Sequence, residues 1–402
     1  MLLKSKFRNI DLPYVSKGWI PLGTYNDRPV FKILPRISDT IVIVAKPGRG
    51  KSVIMRNIYY FISLVRPIVV FDWEGEDHKL SHYANSRPIN LAPGMQPSPV
   101  RNSTFFAYGK ERESFEREIK PNLSSYDVDE LEAVGFSPSA ALELRRLMRK
   151  YRPFKDVYDL IDFVRLFPGN VSDAGKMRMA KKRNKYPHRA FKHYIEGDTL
   201  HPASKQSMVK TLEHLADRDY FRMDDKRDPD IIPLLEARRN LFFNFQGDVG
   251  LARVEIIKKT KQILNYRKKF PRGVKPYIFY EEVDALFPRI ANEQEKHLVD
   301  TGVRLILRGR KTGLGQCYCA PSFWGLHPKI PTACNEKIFG QMEGKDIDAL
   351  QDLTRSEYLV SRVRSLPFNR YTNERMFVYV DEFGKIRDFS PYECPNEIHR
   401  EN

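Results

Sequence analysis

Apolar positions along this chain follow two periods, and the change between them divides it. Residues 39–45 (DTIVIVA) and 67–72 (PIVVFD) are short β-branched runs that end in polar residues, the pattern of buried strands. A glycine-containing turn and the helix-like stretch SVIMRNIYYFISLV lie between them. Strand, turn, helix, strand at this spacing is a βαβ unit and predicts a parallel sheet. The strand pattern resumes at 241–245 (LFFNF), 277–281 (YIFYE), 316–320 (QCYCA), 336–339 (EKIF) and 376–380 (MFVYV), with helix-like segments at 250–268, 291–310 and 345–354 between several of them.

From about 101 to 235 the period is helical. DELEAVGFSPSAALELRRLMRKY (129–151) carries a Ser-Pro start at 137–138, and FKDVYDLIDFVRLF (154–167) and SKQSMVKTLEHLADRDYF (204–221) carry apolar residues three and four apart. Proline suits a first helical turn, where its missing N–H would have no partner. The expected organisation is a lead-in segment at 1–38, an α/β core at 39–100 and 236–402, and an inserted α-helical domain at 101–235.

Composition narrows the partners. The chain of 402 residues has 68 Lys and Arg against 51 Asp and Glu, a net charge of +17, which favours a polyanion unless the basic surface serves solubility alone. Hydrophobic content of 41% with 12% aromatics excludes a disordered tail protein. No apolar run reaches the ~18–20 residues of a membrane span. The start, MLLKSKFRNIDLPYV, has no apolar signal core, so a cytoplasmic location is expected. Four cysteines (Cys317, Cys319, Cys334, Cys394) are too few for a disulfide scaffold and read as small buried hydrophobes.

The strongest motif is Ala45-Lys46-Pro47-Gly48-Arg49-Gly50-Lys51-Ser52, a phosphate loop in which Ala45 replaces the first glycine. Gly48 and Gly50 let backbone N–H groups turn inward around phosphate oxygens. Lys51 brings an ammonium to the β- and γ-phosphates, and Ser52 offers a hydroxyl to Mg²⁺ as it opens a helix. The strand before and helix after it supply the required context, so nucleotide binding is expected.

Hydrolysis needs one carboxylate for the metal and one for the attacking water. The strand YIFY ends in Glu281-Glu282, the first suited to Mg²⁺ and the second to water. Glu281 stands where Asp is usual, and its extra methylene changes the reach. A rival pair, Asp381-Glu382, follows MFVYV and reads as the polar exit of an edge strand near the C-terminus. A third acidic cluster, Asp72 and Glu76, ends the second strand and either helps to position a ligand or caps a helix.

In this order the motifs resemble the HerA/FtsK superfamily of DNA-pumping ATPases, HerA-like archaeal viral and plasmid members above all. Ile20-Pro-Leu-Gly23 to Val30 looks like their lead-in, Phe71 to Glu76 like their acidic segment, and Val134 to Pro138 and His201 to Ser204 like parts of their helical insertion. Glu281-Glu282 to Pro288 resembles their Asp-Glu-Ala-His…Pro segment, and Arg308 to Gly315 the stretch that follows. The resemblance implies a RecA-like P-loop NTPase core, ATP and Mg²⁺ as ligands, a hexameric ring, and double-stranded DNA bound without sequence preference. It also implies an arginine lent by a neighbouring subunit, with Arg310 first and Arg308 second, unless these are a basic helix end that satisfies carbonyls. A portal, capsid or nuclease partner would fit such a motor. The family's γ-phosphate-sensing Gln is missing: its register falls on Pro321 and Ser322, while Gln316 comes too early.

Two basic stretches remain. Residues 176–192 hold eight Lys and Arg and no acid, with Tyr186 and Phe191 interleaved, and suit phosphate neutralisation or a solvated face. The cluster at 258–269 suits DNA or a subunit contact. The reading that follows is a ring-shaped DNA translocase, for genome packaging or plasmid transfer. Its alternatives are an ATPase that drives a secretion or pilus machine, and a nucleotide-binding switch with little turnover.

Overall fold

The computed structural model describes residues 18–33, 39–73, 75, 81–84, 91–110, 112–183, 185–224, 228–369 and 374–393, so Glu76 and Cys394 lie outside the described residues. Two strands, β1 (Trp19–Tyr25) and β2 (Arg28–Ile33), open the fold as an antiparallel pair. The βαβ unit follows as β3 (Thr40–Val44), α1 (Lys51–Ser63) and β4 (Ile68–Asp72), and then come β5 (Ser103–Ala107) and β6 (Glu116–Glu118). Five helices succeed them: α2 (Val128–Ala133), α3 (Pro138–Tyr151), α4 (Val157–Leu166), α5 (Val171–Lys182) and α6 (Pro202–Arg218). The chain continues through α7 (Ile232–Glu236), β7 (Asn240–Asn244), α8 (Val249–Lys269), β8 (Tyr277–Tyr280), α9 (Val283–Leu286), α10 (Glu293–Lys311) and β9 (Gly315–Ala320). It ends with α11 (Lys329–Ala333), β10 (Glu336–Phe339), α12 (Lys345–Thr354), α13 (Glu357–Arg364), β11 (Phe368–Asn369), β12 (Glu374–Arg375), β13 (Phe377–Val380) and β14 (Ile386–Pro391).

The chain divides into two compact units, residues 1–106, 231–291 and 299–402 in one, and 107–230 with 292–298 in the other. The first is built on a sheet whose strands run in the order β2-β1-β14-β13-β10-β3-β9-β8-β4-β7-β5. Its centre, β10-β3-β9-β8-β4-β7, is parallel throughout. Every residue of β3, β4, β7, β8 and β9 is buried, which is why these strands read as unbroken apolar runs rather than alternating ones. Each large apolar side chain buried there contributes about 1.5–3 kcal/mol. Across the C-terminal ends of β4, β8 and β9, the Tyr280 ring packs against Phe71 (5.5 Å between centroids) and stacks on Tyr318 (5.3 Å). These rings form a stiff floor one residue below the acids that end β4 and β8.

The strand that precedes Asp381-Glu382 is not at an edge. β13 lies between β10 and β14 and runs antiparallel to both, with Phe339 opposite Val378 and Lys337 opposite Val380. Its start therefore meets the C-terminal ends of the parallel strands and its end meets their beginnings. The described cysteines, Cys317, Cys319 and Cys334, are buried free thiols. Within the described residues no helix is long and apolar enough to cross a membrane.

The helical unit folds around an aromatic cluster. Phe163 of α4 packs on Phe191 at 4.8 Å and on Tyr151 of α3 at 5.3 Å, and Phe167 joins them. Phe191 is 0% exposed, so it is core and offers no platform to a base. Asp127 and Glu130 form a capping box at the start of α2. Gly135, at φ +107°, turns the chain into α3, whose first residue is the expected Pro138. The apolar run 129–151 is thus two helices with a glycine corner between them.

Candidate functional site

The phosphate loop leaves β3 at Val44 and enters α1 at Lys51 without a side-chain cap. Gly48 (φ +74°) and Gly50 (φ +92°) both sit in the left-handed region that glycine tolerates best. Ala45 is accommodated by its neighbour. A Cβ on Gly340, just past β10, would lie 2.6 Å from the Ala45 Cβ, so the methyl added at 45 occupies space left bare at 340. Lys46 reaches outward to Glu343 at 2.7 Å, and this pair is exposed.

The carboxylate segment after β8 arrives beside the loop. Lys51 Nζ lies 2.9 Å from Glu282 Oε1, and Lys51 is 9% exposed. Burial alone would lower the lysine pKa. Cys319, the hydrogen bond and charge of Glu282, and the charge of Glu281 outweigh burial and hold it above the ordinary value. Glu281 is buried and Glu281 N donates to Phe71 O at 3.1 Å, which ties β8 to β4 at this point. Glu282 has φ +44° and ψ +47°, a left-handed conformation that costs a non-glycine residue about 1–2 kcal/mol. The strain is held from below by α8. Arg253, 2% exposed, donates from Nε to Leu286 O at 2.7 Å and from Nη2 to Ala285 O at 3.3 Å, bracing the short helix α9.

Sequence reasoning passed over Asp284. Burial, reinforced by the nearby charge of Glu282, pushes its carboxyl up to about 6, against the opposing pull of Lys51. The signal was available as a third acid two residues after Glu282. It was masked because the motif comparison attends to the first two.

Other candidates are placed elsewhere. Asp72 is fully buried at the end of β4 and accepts a hydrogen bond from Gly75 N at 2.8 Å, closing the turn that leaves the strand. Arg310 lies in the last turn of α10 and donates from Nη1 to Ala333 O at 3.1 Å, a carbonyl that also receives the Thr40 hydroxyl. Arg310 therefore stands at the beginning of β3, with the length of the strand between it and its own phosphate loop, and Arg308 is exposed on the same helix. Asp381 Oδ1 accepts from Phe383 N (3.0 Å) and Lys385 N (2.9 Å), so it shapes the turn between β13 and β14 at the edge opposite the loop. Gln316 lies at the opposite end of β9 from Pro321, where its Oε1 accepts the Tyr318 hydroxyl. Ser322 is engaged locally: its hydroxyl donates to Asp346 Oδ1 at 2.8 Å and accepts from Gly325 N. Part of the 258–269 cluster is internal. Lys259 is buried near Glu255, and Arg267 donates to the carbonyls of Phe270, Pro271 and Gly273, which follow α8.

The residues present suit Mg²⁺ with a nucleotide. Mg²⁺ usually takes one or two protein oxygens and completes its shell with phosphate and water. Ser52 and Glu281 would supply that number, and among the described residues no group of three or more His, Cys, Asp or Glu forms a metal cage.

Loop, strand order and carboxylate pair together define a RecA-like P-loop NTPase fold with helical additions. No protein-family model and no curated protein matches the sequence. Solved structures do. The bacterial conjugative coupling protein TrwBdeltaN70, in complex with sulphate, aligns over 94% of this chain and 92% of its own at 14% identity, with a TM-score of 0.53. VirB4 of Thermoanaerobacter pseudethanolicus aligns over 94% of this chain and 96% of its own at 12% identity, with a TM-score of 0.51. The genome packaging NTPase B204 from Sulfolobus turreted icosahedral virus 2, in complex with ATP-gammaS, covers 89% of this chain and all of its own at 9% identity, but its TM-score of 0.38 adds no argument. The likeness to the first two of these structures shows the fold, a RecA-like P-loop ATPase core.

Proposed function

We propose that this protein is an ATP-driven double-stranded DNA translocase that works as a ring, most simply a hexamer. The observation that carries the reading is the 2.9 Å pair of Lys51 and Glu282, which joins the phosphate loop to the acid after β8. ATP would lie along Ala45–Ser52, with Ser52 and Glu281 holding Mg²⁺. When phosphate oxygens arrive, Lys51 exchanges its carboxylate partner for them. That exchange frees the Glu282 carboxylate to orient a water and accept its proton. Mg²⁺ would supply charge neutralisation at the phosphates. To Arg310 of a neighbouring subunit, with Arg308 second, falls the stabilisation of charge that develops on the transferred phosphoryl group.

The DNA half of the reading draws on TrwB, a conjugative coupling protein of the same fold, and on the basic run of the helical unit. Lys182, Arg183, Lys185 and Lys192 are exposed and, among the described residues, have no acidic partner. They offer phosphate contacts that would be salt-dependent and indifferent to sequence. Plasmid transfer and viral genome packaging are the two settings that fit, and a cytoplasmic site of action suits both.

ATP turnover measured with and without duplex DNA tests this. We expect stimulation of several-fold at low salt that fades as salt rises. Turnover indifferent to DNA, with no duplex binding, would favour a motor for a protein machine. Nucleotide binding without turnover would favour a switch.

A further inference from the structure

The reversed direction of β13 brings a residue to the phosphate loop that no motif marks. Because β13 runs against β10, the chain just before it stands at the edge where β3 gives way to the loop. Arg375, at the end of β12, occupies that point. A Cβ on Gly50 would lie 3.0 Å from the Arg375 Cδ and 3.1 Å from its Nη1, so the guanidinium fills the space beside Gly50 where a side chain would stand. It is half-buried, and among the described residues it has neither a hydrogen bond nor an ion pair. Gly50 is bare on the side where the arginine lies, and its left-handed φ of +92° disfavours any side chain there.

An arginine held against a phosphate loop without a carboxylate partner has its five donors uncommitted. Guanidinium geometry matches two oxygens of one phosphate, or oxygens of adjacent phosphates, better than an ammonium does. Lys51 approaches the loop from α1 and is engaged by Glu282, whereas Arg375 approaches from the β12 side and is free to meet a ligand as it enters. We infer that Arg375 is a nucleotide-binding residue of the same chain that grips the phosphates of the bound nucleoside triphosphate opposite Lys51. This rests on the nucleotide reading of the loop and adds to it a second cation, distinct from the arginine lent by a neighbour. Being part of its own subunit's site, it acts in an isolated chain as well as in a ring.

The test is binding of mant-ATP, mant-ADP and mant-AMP to the full chain and to its Arg375→Ala, Arg375→Lys and Lys51→Ala variants at fixed salt. Arg375→Ala should weaken mant-ATP by roughly ten-fold or more, the size of one lost charge-assisted contact. It should weaken mant-AMP far less and leave the melting temperature without nucleotide unchanged. Arg375→Lys should restore part of the loss, since the charge returns without the planar fork. Equal affinity of wild type and Arg375→Ala for mant-ATP, while Lys51→Ala loses binding, would overturn the inference and leave the nucleotide reading intact. An equal loss for all three nucleotides with a lowered melting temperature would also overturn it, by making Arg375 a support of the loop. No binding of any nucleotide by wild type would overturn the nucleotide reading and this inference together.

Discussion

Two acidic pairs follow two apolar strands of this chain, Glu281-Glu282 after β8 and Asp381-Glu382 after β13, and the structure gives them opposite fates. In letters the second is the closer match to an Asp-Glu signature. β8 runs with β3, so its end stands beside the phosphate loop, and Glu282 pairs with Lys51. β13 runs against β10, so its end lies at the far edge and Asp381 binds the amides of its own turn. A carboxylate pair can therefore meet the phosphate loop only when its strand points the right way. The same reversal delivers Arg375 to the loop from the other end of β13.

The comparison can be broken at several points. Lys51→Ala removes the ammonium that Glu282 holds and that phosphates would claim. Its mant-ATP affinity should fall by about a hundred-fold or more in a fluorescence titration, with the fold retained by circular dichroism. Next in size is Asp381→Ala, which strips two backbone amides and Arg387 of their acceptor at the β13–β14 turn. Thermal unfolding should show a loss of about 1–3 kcal/mol, while ATP turnover below the transition stays within two-fold of wild type. A turnover collapse in that variant would return the second pair to contention.

The smallest effect expected belongs to Asp284, whose carboxyl is raised from 3.8 to about 6 by burial and by Glu282. Between those values the folded chain keeps a proton that the unfolded chain has released. Stability therefore falls as pH rises through this window, and the penalty is complete above about 6. Asp284→Asn should stabilise the nucleotide-free protein in EDTA by on the order of 1 kcal/mol at pH 7.5. The gain should shrink as pH falls toward 4, roughly the lower limit of the window. A gain equal at both ends would mean that the carboxyl is not held protonated.

How much of this was written in the letters varies with burial. Five of the six parallel strands and α1 were legible because both faces of the sheet are covered, leaving largely apolar runs, and the sixth, β10, kept only Ile338 and Phe339 as its signal. Of the flanking antiparallel strands, β13 was legible as MFVYV, whereas β1, β2 and β14 were not. β2 reads RPVFKI, yet its Lys32 is fully buried against Glu336 at 2.5 Å, so a residue that signals surface sits in the core. β14 reads IRDFSP, and its buried Asp388 pairs with Arg362 of α13. In both strands charge is cancelled across a distance of hundreds or tens of residues, which no local pattern reveals. β5 was hidden for a plainer reason: STFFA is a short run at the head of a long helical stretch. At the site, the loop announced itself through glycine spacing. Arg375 did not, because its place depends on the direction of a strand that pairs with a partner almost forty residues earlier.

The central claim is that catalysis lies with the pair after β8. Single-turnover ATP hydrolysis by wild type, Glu282→Gln and Glu382→Gln, each saturated with ATP and Mg²⁺, tests it most directly. Glu282→Gln should bind ATP and lose roughly 10²–10⁴-fold in rate, the range of a lost general base, while Glu382→Gln matches wild type. Hydrolysis by Glu282→Gln at the wild-type rate, or a comparable loss in Glu382→Gln, would contradict the account.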